Sequence, residues 1–119
     1  MAKFMILYSS DLKASELMAN SSPEQVKASM GEWIKWRENA SKTFKIDFGL
    51  PLEPVNNVTS AGITPSDCRV GGYTIADGTS MVDLLELLKS HPHLKRPGAS
   101  IDVFEMLMMP GLEGAETTR

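Results

Sequence analysis

Lys3-Phe4-Met5-Ile6-Leu7-Tyr8 is apolar at both of its alternating sets of positions after the lysine. On a strand, Phe4, Ile6 and Tyr8 face one side and Met5 and Leu7 the other. A strand apolar on both sides is expected to be covered on both sides. The last periodic stretch, Ser100 to Met109, behaves the same way. Ile101, Val103, Glu105 and Leu107 share one side, and Phe104, Met106 and Met108 share the other after Asp102. Pro110-Gly111 closes it.

Two helices are spelled out between these strands. Ser22-Pro23 with Gln25 reads as a capping box with proline at the first helical position, where its missing N–H leaves no bond unmade. Val26, Met30, Trp33, Ile34 and Arg37 recur at helical spacing over Pro23 to about Thr43, predicting a buried stripe with Trp33 in the core and Trp36 off it. Ser80 with Asp83 starts the second helix, carried by Met81, Leu84, Leu85 and Leu88 and stopped before Pro92. Lys45–Leu52 reads as extended but interrupted by Gly49 and Pro51, Asn56-Asn57 as a turn, Val58–Ala61 as a short return strand, and Ile63–Asp67 as a loop. In Arg69–Ala76 the small residues Val70, Gly72, Thr74 and Ala76 share one face, and Tyr73 and Ile75 the other.

The order strand, helix, strand, strand, helix, strand is that of a ferredoxin-like βαββαβ protomer, an α+β fold with an antiparallel sheet. Two helices cover one face of such a sheet. The surplus apolar face then needs a partner, and a second copy of the chain is the simplest one, giving a homodimer. The chain reads as a single domain over residues 1–111 with a mobile tail over 112–119.

Composition narrows the function classes. The chain has 119 residues, a net charge of −3, and no basic run longer than Lys95-Arg96, so a nucleic-acid footprint is not expected. No apolar stretch approaches the ~20 residues of a membrane span, and the first residues do not form a secretory signal. The lone Cys68 admits no internal disulfide, which fits a reducing cytoplasm. The eight methionines read as core filler. Phosphate loops and nucleophile elbows do not occur, and no cofactor is indicated.

Three stretches carry a resemblance: Lys3-Phe-Met-Ile-Leu-Tyr8, Gly71-Gly-Tyr-Thr-Ile75, and the run from His91-Pro-His-Leu to Met106. In this order the chain resembles the YCII-related family of the dimeric α+β barrel superfamily. The resemblance implies a ferredoxin-like protomer and a homodimer whose sheets face each other. The Asp-Gly-Pro-Phe motif of many relatives is absent, Pro65-Ser-Asp-Cys-Arg69 standing in its place, and no histidine precedes His91. No active pair is therefore carried over from the family.

The chemistry-bearing candidates are few. His91 and His93 are the only histidines, in one loop between the second helix and the last strand. One reading gives them acid/base work in a pocket between helix and sheet, with Glu105 or Asp102 as the carboxylate. The other has His91 closing the helix C-terminus as a cation or donor and His93 filling the loop. Glu105 sits among apolar residues on its strand face, where enclosure would raise its pKa. Tyr73, Trp36 and Asp102 are candidates to line a ligand pocket. A metal site is not expected, since His-x-His lacks the spacing of known ligand pairs. The sequence thus leaves three functions open: a small-molecule enzyme using histidine acid/base chemistry, a dimeric binding or accessory protein without catalysis, or a purely structural interaction domain.

Overall fold

The computed structural model describes residues 2–111; the 112–119 tail lies outside the described residues. The chain order is β1 (Ala2–Ser9), α1 (Ala14–Ala19), α2 (Pro23–Ala40), β2 (Lys45–Asp47), β3 (Asn56–Thr59), β4 (Gly62–Pro65), β5 (Val70–Gly78), α3 (Met81–Leu88), a 3₁₀ turn (Pro92–Lys95) and β6 (Ser100–Met106). Four strands form one sheet in the order β2-β5-β1-β6, every neighbouring pair antiparallel. The first strand is therefore central, flanked by β5 and by β6, and the last strand, β6, is at the edge. The fold is α+β, and no described helix is long and apolar enough to cross a membrane.

The two faces of the sheet differ. Phe4, Ile6 and Tyr8 of β1 and Thr74 and Ala76 of β5 are buried. They lie beneath Trp36 and Ala40 of α2 and Leu84 and Leu88 of α3, so both long helices share this face. The small residues of β5 are what let the large ones of β1 and the helices fit. Gly72 leaves Tyr8 ordinary contact room. Gly78 faces the buried Phe44 ring so closely that a Cβ there would enter the ring. On the opposite face, cross-strand pairing aligns Met5 with Ile75 and Phe104, and Leu7 with Tyr73 and Asp102.

The helix caps form as the sequence indicates. Ser22 Oγ accepts from Gln25 N–H (3.2 Å), and Gln25 Oε1 accepts from Ser22 N–H (2.8 Å). At α3 only the Ser80 half is made, its hydroxyl accepting from Asp83 N–H (3.2 Å).

The connection after β2 departs from the expected long strand. β2 stops at Asp47 because Gly49 turns with φ +72° directly under the Tyr73 carbonyl, and the chain rejoins β5 only through Pro51 opposite Gly72. Residues 56–65 form a separate two-stranded hairpin, with Asn57 opposite Thr64 and Val58 opposite Ile63. The expected turn at Asn56-Asn57 and loop at Ile63 are strands, and the turn falls at Ser60-Ala61 instead. The hairpin leaves Val58 and Ile63 exposed.

The glycine pair in β5 gives a sharp contrast in stability. Gly78→Ala is expected to destabilise by about 1–3 kcal/mol, as overpacking against a fixed core ring does. Gly72→Ala, in ordinary contact, is expected to lose far less. Urea denaturation of the two variants checks this, and equal midpoints would refute the Phe44 constraint.

Candidate functional site

A cleft of about 440 Å³ opens between α1, α2 and the edge of the sheet. Its walls come from the end of β1 (Tyr8) and the residue after it (Ser10), α1 (Leu17, Met18), α2 (Val26, Met30, Trp33), the segment after β2 (Phe48 to Pro51), the start of β5 (Gly71 to Tyr73) and the loop carrying His93 and Arg96. The volume is within the range of small-molecule sites, and the walls are mainly apolar.

Helix α2 makes the cleft by overhanging the sheet. Trp36 and Ala40, near its C-terminal end, are buried, whereas Val26, Met30 and Ile34 are 42%, 46% and 36% exposed. The stripe expected to be core is thus largely an open wall, with Val26, Met30 and Trp33 along the cleft. The roles of the two tryptophans are the reverse of those expected. Trp36 is core, its indole N–H donating to the Leu87 carbonyl at 2.9 Å, and it does not line the cleft. Trp33 is half-buried and does. Met18 and Met30 likewise line the cleft and do not fill the core. Spacing alone does not say where the sheet beneath ends.

The two histidines lie at the inner end of this arrangement. The Pro92 turn starts with His91 as its cap: His91 Nδ1 accepts from His93 N–H at 3.0 Å, and His91 N–H donates to the Leu88 carbonyl. His93 Nε2 meets the Ser9 carbonyl at 2.8 Å, and a carbonyl can only accept, so Nε2 carries the proton. Both side chains are 2% exposed. His91 sits among Trp33 and Trp36 (ring centres 4.5 Å away) and Tyr8 (4.9 Å), meeting Trp33 edge-to-face at 88°.

These surroundings hold the rings neutral. Burial pushes His91 down to about 3, with His93 and Arg96 adding repulsion. Burial also lowers His93; the Ser9 and Ser100 carbonyls oppose it, and Arg96 reinforces it. The expectation of a charged His91 at a helix C-terminus is corrected on this ground: its ring is an acceptor for a neighbouring backbone N–H, inside an aromatic box, and does not donate to α3. Among the described residues, His91 Nε2 and His93 Nδ1 are buried without a hydrogen-bond partner.

Tyr8 extends the network. Its hydroxyl donates to Thr74 Oγ1 at 2.8 Å, and Thr74 Oγ1 donates to the Phe48 carbonyl at 3.1 Å. Burial raises Tyr8 to about 12, against the lowering effect of the Thr74 bond, so the phenol stays protonated at neutral pH.

Of the candidate site residues, only His93 and Tyr73 line the cleft. Tyr73 borders it, its carbonyl against Gly49. His91 lies behind it in the aromatic box. Asp102 faces the open side of the sheet opposite Leu7, and both it and Glu105 are exposed. Glu105 is not enclosed, although it pairs with the buried Phe4, because it lies toward the end of an edge strand. The carboxylates and the histidines do not come together. Among the described residues, no three His, Cys, Asp or Glu side chains gather as a metal site requires.

Arg96 is the residue that motif reading passed over. It is half-buried, lines the cleft, and holds its guanidinium 5.5 Å above the Trp33 ring. Burial lowers its pKa. Lone arginines carry no spacing signal. The hint was its place three residues after His93, in a loop already of interest.

The buried neutral rings predict an acid-sensitive fold. The unfolded chain protonates its histidines near the ordinary 6.5, whereas the folded chain resists until well below. Their contribution is complete above about pH 6.5 and is lost as pH falls toward the lowered folded values, by about 1.4 kcal/mol per pH unit for each ring that stays neutral. Urea denaturation at pH 7.5 and pH 5.0 measures the loss, and His91→Asn, which keeps a side-chain acceptor, should reduce it. Equal stability at the two pH values would show that the rings are not held neutral.

No family model matches the chain, and none of the curated proteins matches it.

Proposed function

We propose that this protein is a homodimeric small-molecule binding protein, with a ferredoxin-like protomer in the dimeric α+β barrel arrangement implied by its resemblance to the YCII-related family. The observation that carries the binding reading is the apolar cleft of about 440 Å³ under the overhanging half of α2. A helix overhang with exposed Val26 and Met30 is unfavourable for an isolated chain unless something apolar occupies the space below it.

The enzymatic reading has one observation in its favour: His93 reaches the cleft wall and its Nδ1 lone pair is unpartnered among the described residues. The same atom is buried, the ring is a weakened base, and the candidate carboxylates Asp102 and Glu105 are exposed on β6 and do not line the cleft. Tyr8 is too weak an acid to substitute. Binding without catalysis is therefore the preferred function.

The homodimer rests on the face of the sheet that carries no helix. Met5, Leu7, Tyr73 and Ile75 are half-buried there, and Phe104 and Met106 are 53% and 40% exposed. The cross-strand register makes them one continuous patch over β5, β1 and β6. A specific interface on this patch would bury at least ~1,000 Å² in total.

Two experiments test the proposal. Light scattering at micromolar concentration should give about twice the 13.0 kDa chain mass, and Phe104→Asp should shift the mass toward one chain. A wild-type monomer would remove the dimer from the proposal. For the cleft, labelled protein titrated with six- to ten-carbon aliphatic and aromatic compounds should show saturable NMR shifts at the Trp33 indole and the Gly71-Gly72 amides. Shifts confined to the open sheet face would place the binding site elsewhere.

A further inference from the structure

We propose that the cleft selects small apolar molecules bearing a single carboxylate, and that Arg96 takes the charge. This deepens the binding reading and rests on it. Arg96 is the only charged residue among those described as lining the cleft, and none of them is acidic. It is half-buried and makes no salt bridge among the described residues. The carboxylates of the neighbouring segments are committed elsewhere: Glu32 holds Lys95 at 2.6 Å, and Asp11 holds Arg69 at 2.8 Å.

A cation drawn partly out of water without a counter-ion is unfavourable, and such a group is usually paired. The geometry leaves the pairing role to a ligand. The guanidinium lies over Trp33, which restricts its plane, and its backbone N–H is anchored to the His93 carbonyl. A planar fork held this way matches a carboxylate through two parallel N–H donors. The neutral state of His91 and His93 fixes the count of charge at one. With a single positive group and apolar walls, a phosphate dianion would retain uncompensated charge inside the cleft, whereas a carboxylate is neutralised. The remaining polar lining, Ser10, Ser21, Gln25 and Ser29, can hydrogen-bond a ligand but adds no charge.

The full-length protein, titrated by NMR with octanoate and with octan-1-ol, separates this inference from the reading beneath it. Octanoate should bind at least tenfold more tightly than octan-1-ol, with shifts at the Trp33 indole and the Arg96 Nε–H. Arg96→Gln should level the two affinities, and Arg96→Lys should restore part of the preference without its full size. Equal binding of acid and alcohol by the wild type, or an unchanged preference in folded Arg96→Gln, overturns the carboxylate assignment and leaves the cleft a binding site. If neither compound moves the cleft resonances at millimolar concentration, the binding reading falls with it. Cleft signals that respond to protein concentration and not to octanoate would identify a second copy as the occupant, which also overturns the proposal. Should Arg96→Gln fail to fold, the comparison of acid with alcohol on the wild type decides alone.

Discussion

The bond from His93 Nε2–H to the Ser9 carbonyl joins the end of the first strand to the loop that leads into the last. Ser9 is the final residue of β1, and Ser100, its partner in the sheet, begins β6. The imidazole thus sits at the point where the central strand β1, the edge strand β6 and a loop converge. It can hold that position only as a donor at Nε2, which fixes its tautomer. The neighbouring ring then follows: His93 N–H needs an acceptor, and His91 Nδ1 supplies it. The Ser9 bond thus fixes the His93 tautomer, burial keeps both rings neutral, and the His91–His93 bond holds the Pro92 turn that leads to Arg96.

Packing around this junction explains why the helices are arranged unevenly. The sheet surface near Tyr8 is occupied by aromatic rings and the two imidazoles, so the space that α2 might bury there is already taken. Trp33 meets Tyr8 edge-on at 5.0 Å and Phe48 at 6.0 Å. Only the C-terminal half of α2 lies down on the sheet, where Trp36 and Ala40 reach Leu84, Leu88 and Ile6 in one core cluster. The N-terminal half continues past the edge and, with α1, roofs a space. Its entry is tethered at the far side by Glu53, whose carboxylate accepts from the Ser15 N–H of α1 at 3.0 Å.

Local rules made much of this legible. The Ser22–Gln25 box, the stop before Pro92, and the alternation in β1 and β5 all follow from nearest-neighbour chemistry, and the structure has each of them. The site was harder to read because its character depends on contacts distant in sequence. His91 is neutral because Trp33 and Trp36, more than 50 positions earlier, enclose it. Trp33 and Trp36 exchange roles because Trp36 reaches the core cluster and the Leu87 carbonyl, whereas Trp33 packs on Tyr8 and His91 at the cleft wall. Glu105 is exposed because β6 is an edge strand, which its own apolar neighbours do not reveal. The hairpin is legible only in part: the return strand expected at Val58–Ala61 overlaps β3, but Asn56, Asn57 and Pro65 carry turn and breaker propensities and yet lie in its strands.

The same loop shows how a fold places one charge with care. Two titratable imidazoles and a guanidinium stand within six residues of each other. If the rings were cationic, three positive groups would share a poorly hydrated space, and Coulomb repulsion at short range in low dielectric would disfavour the fold. Burying the rings as neutral donors and acceptors avoids that, and Arg96 itself contributes to keeping them neutral by lowering both. Arginine is the one of the three that cannot give up its proton within the accessible pH range. The charge therefore resides on Arg96, which lines the cleft beside a neutral His93.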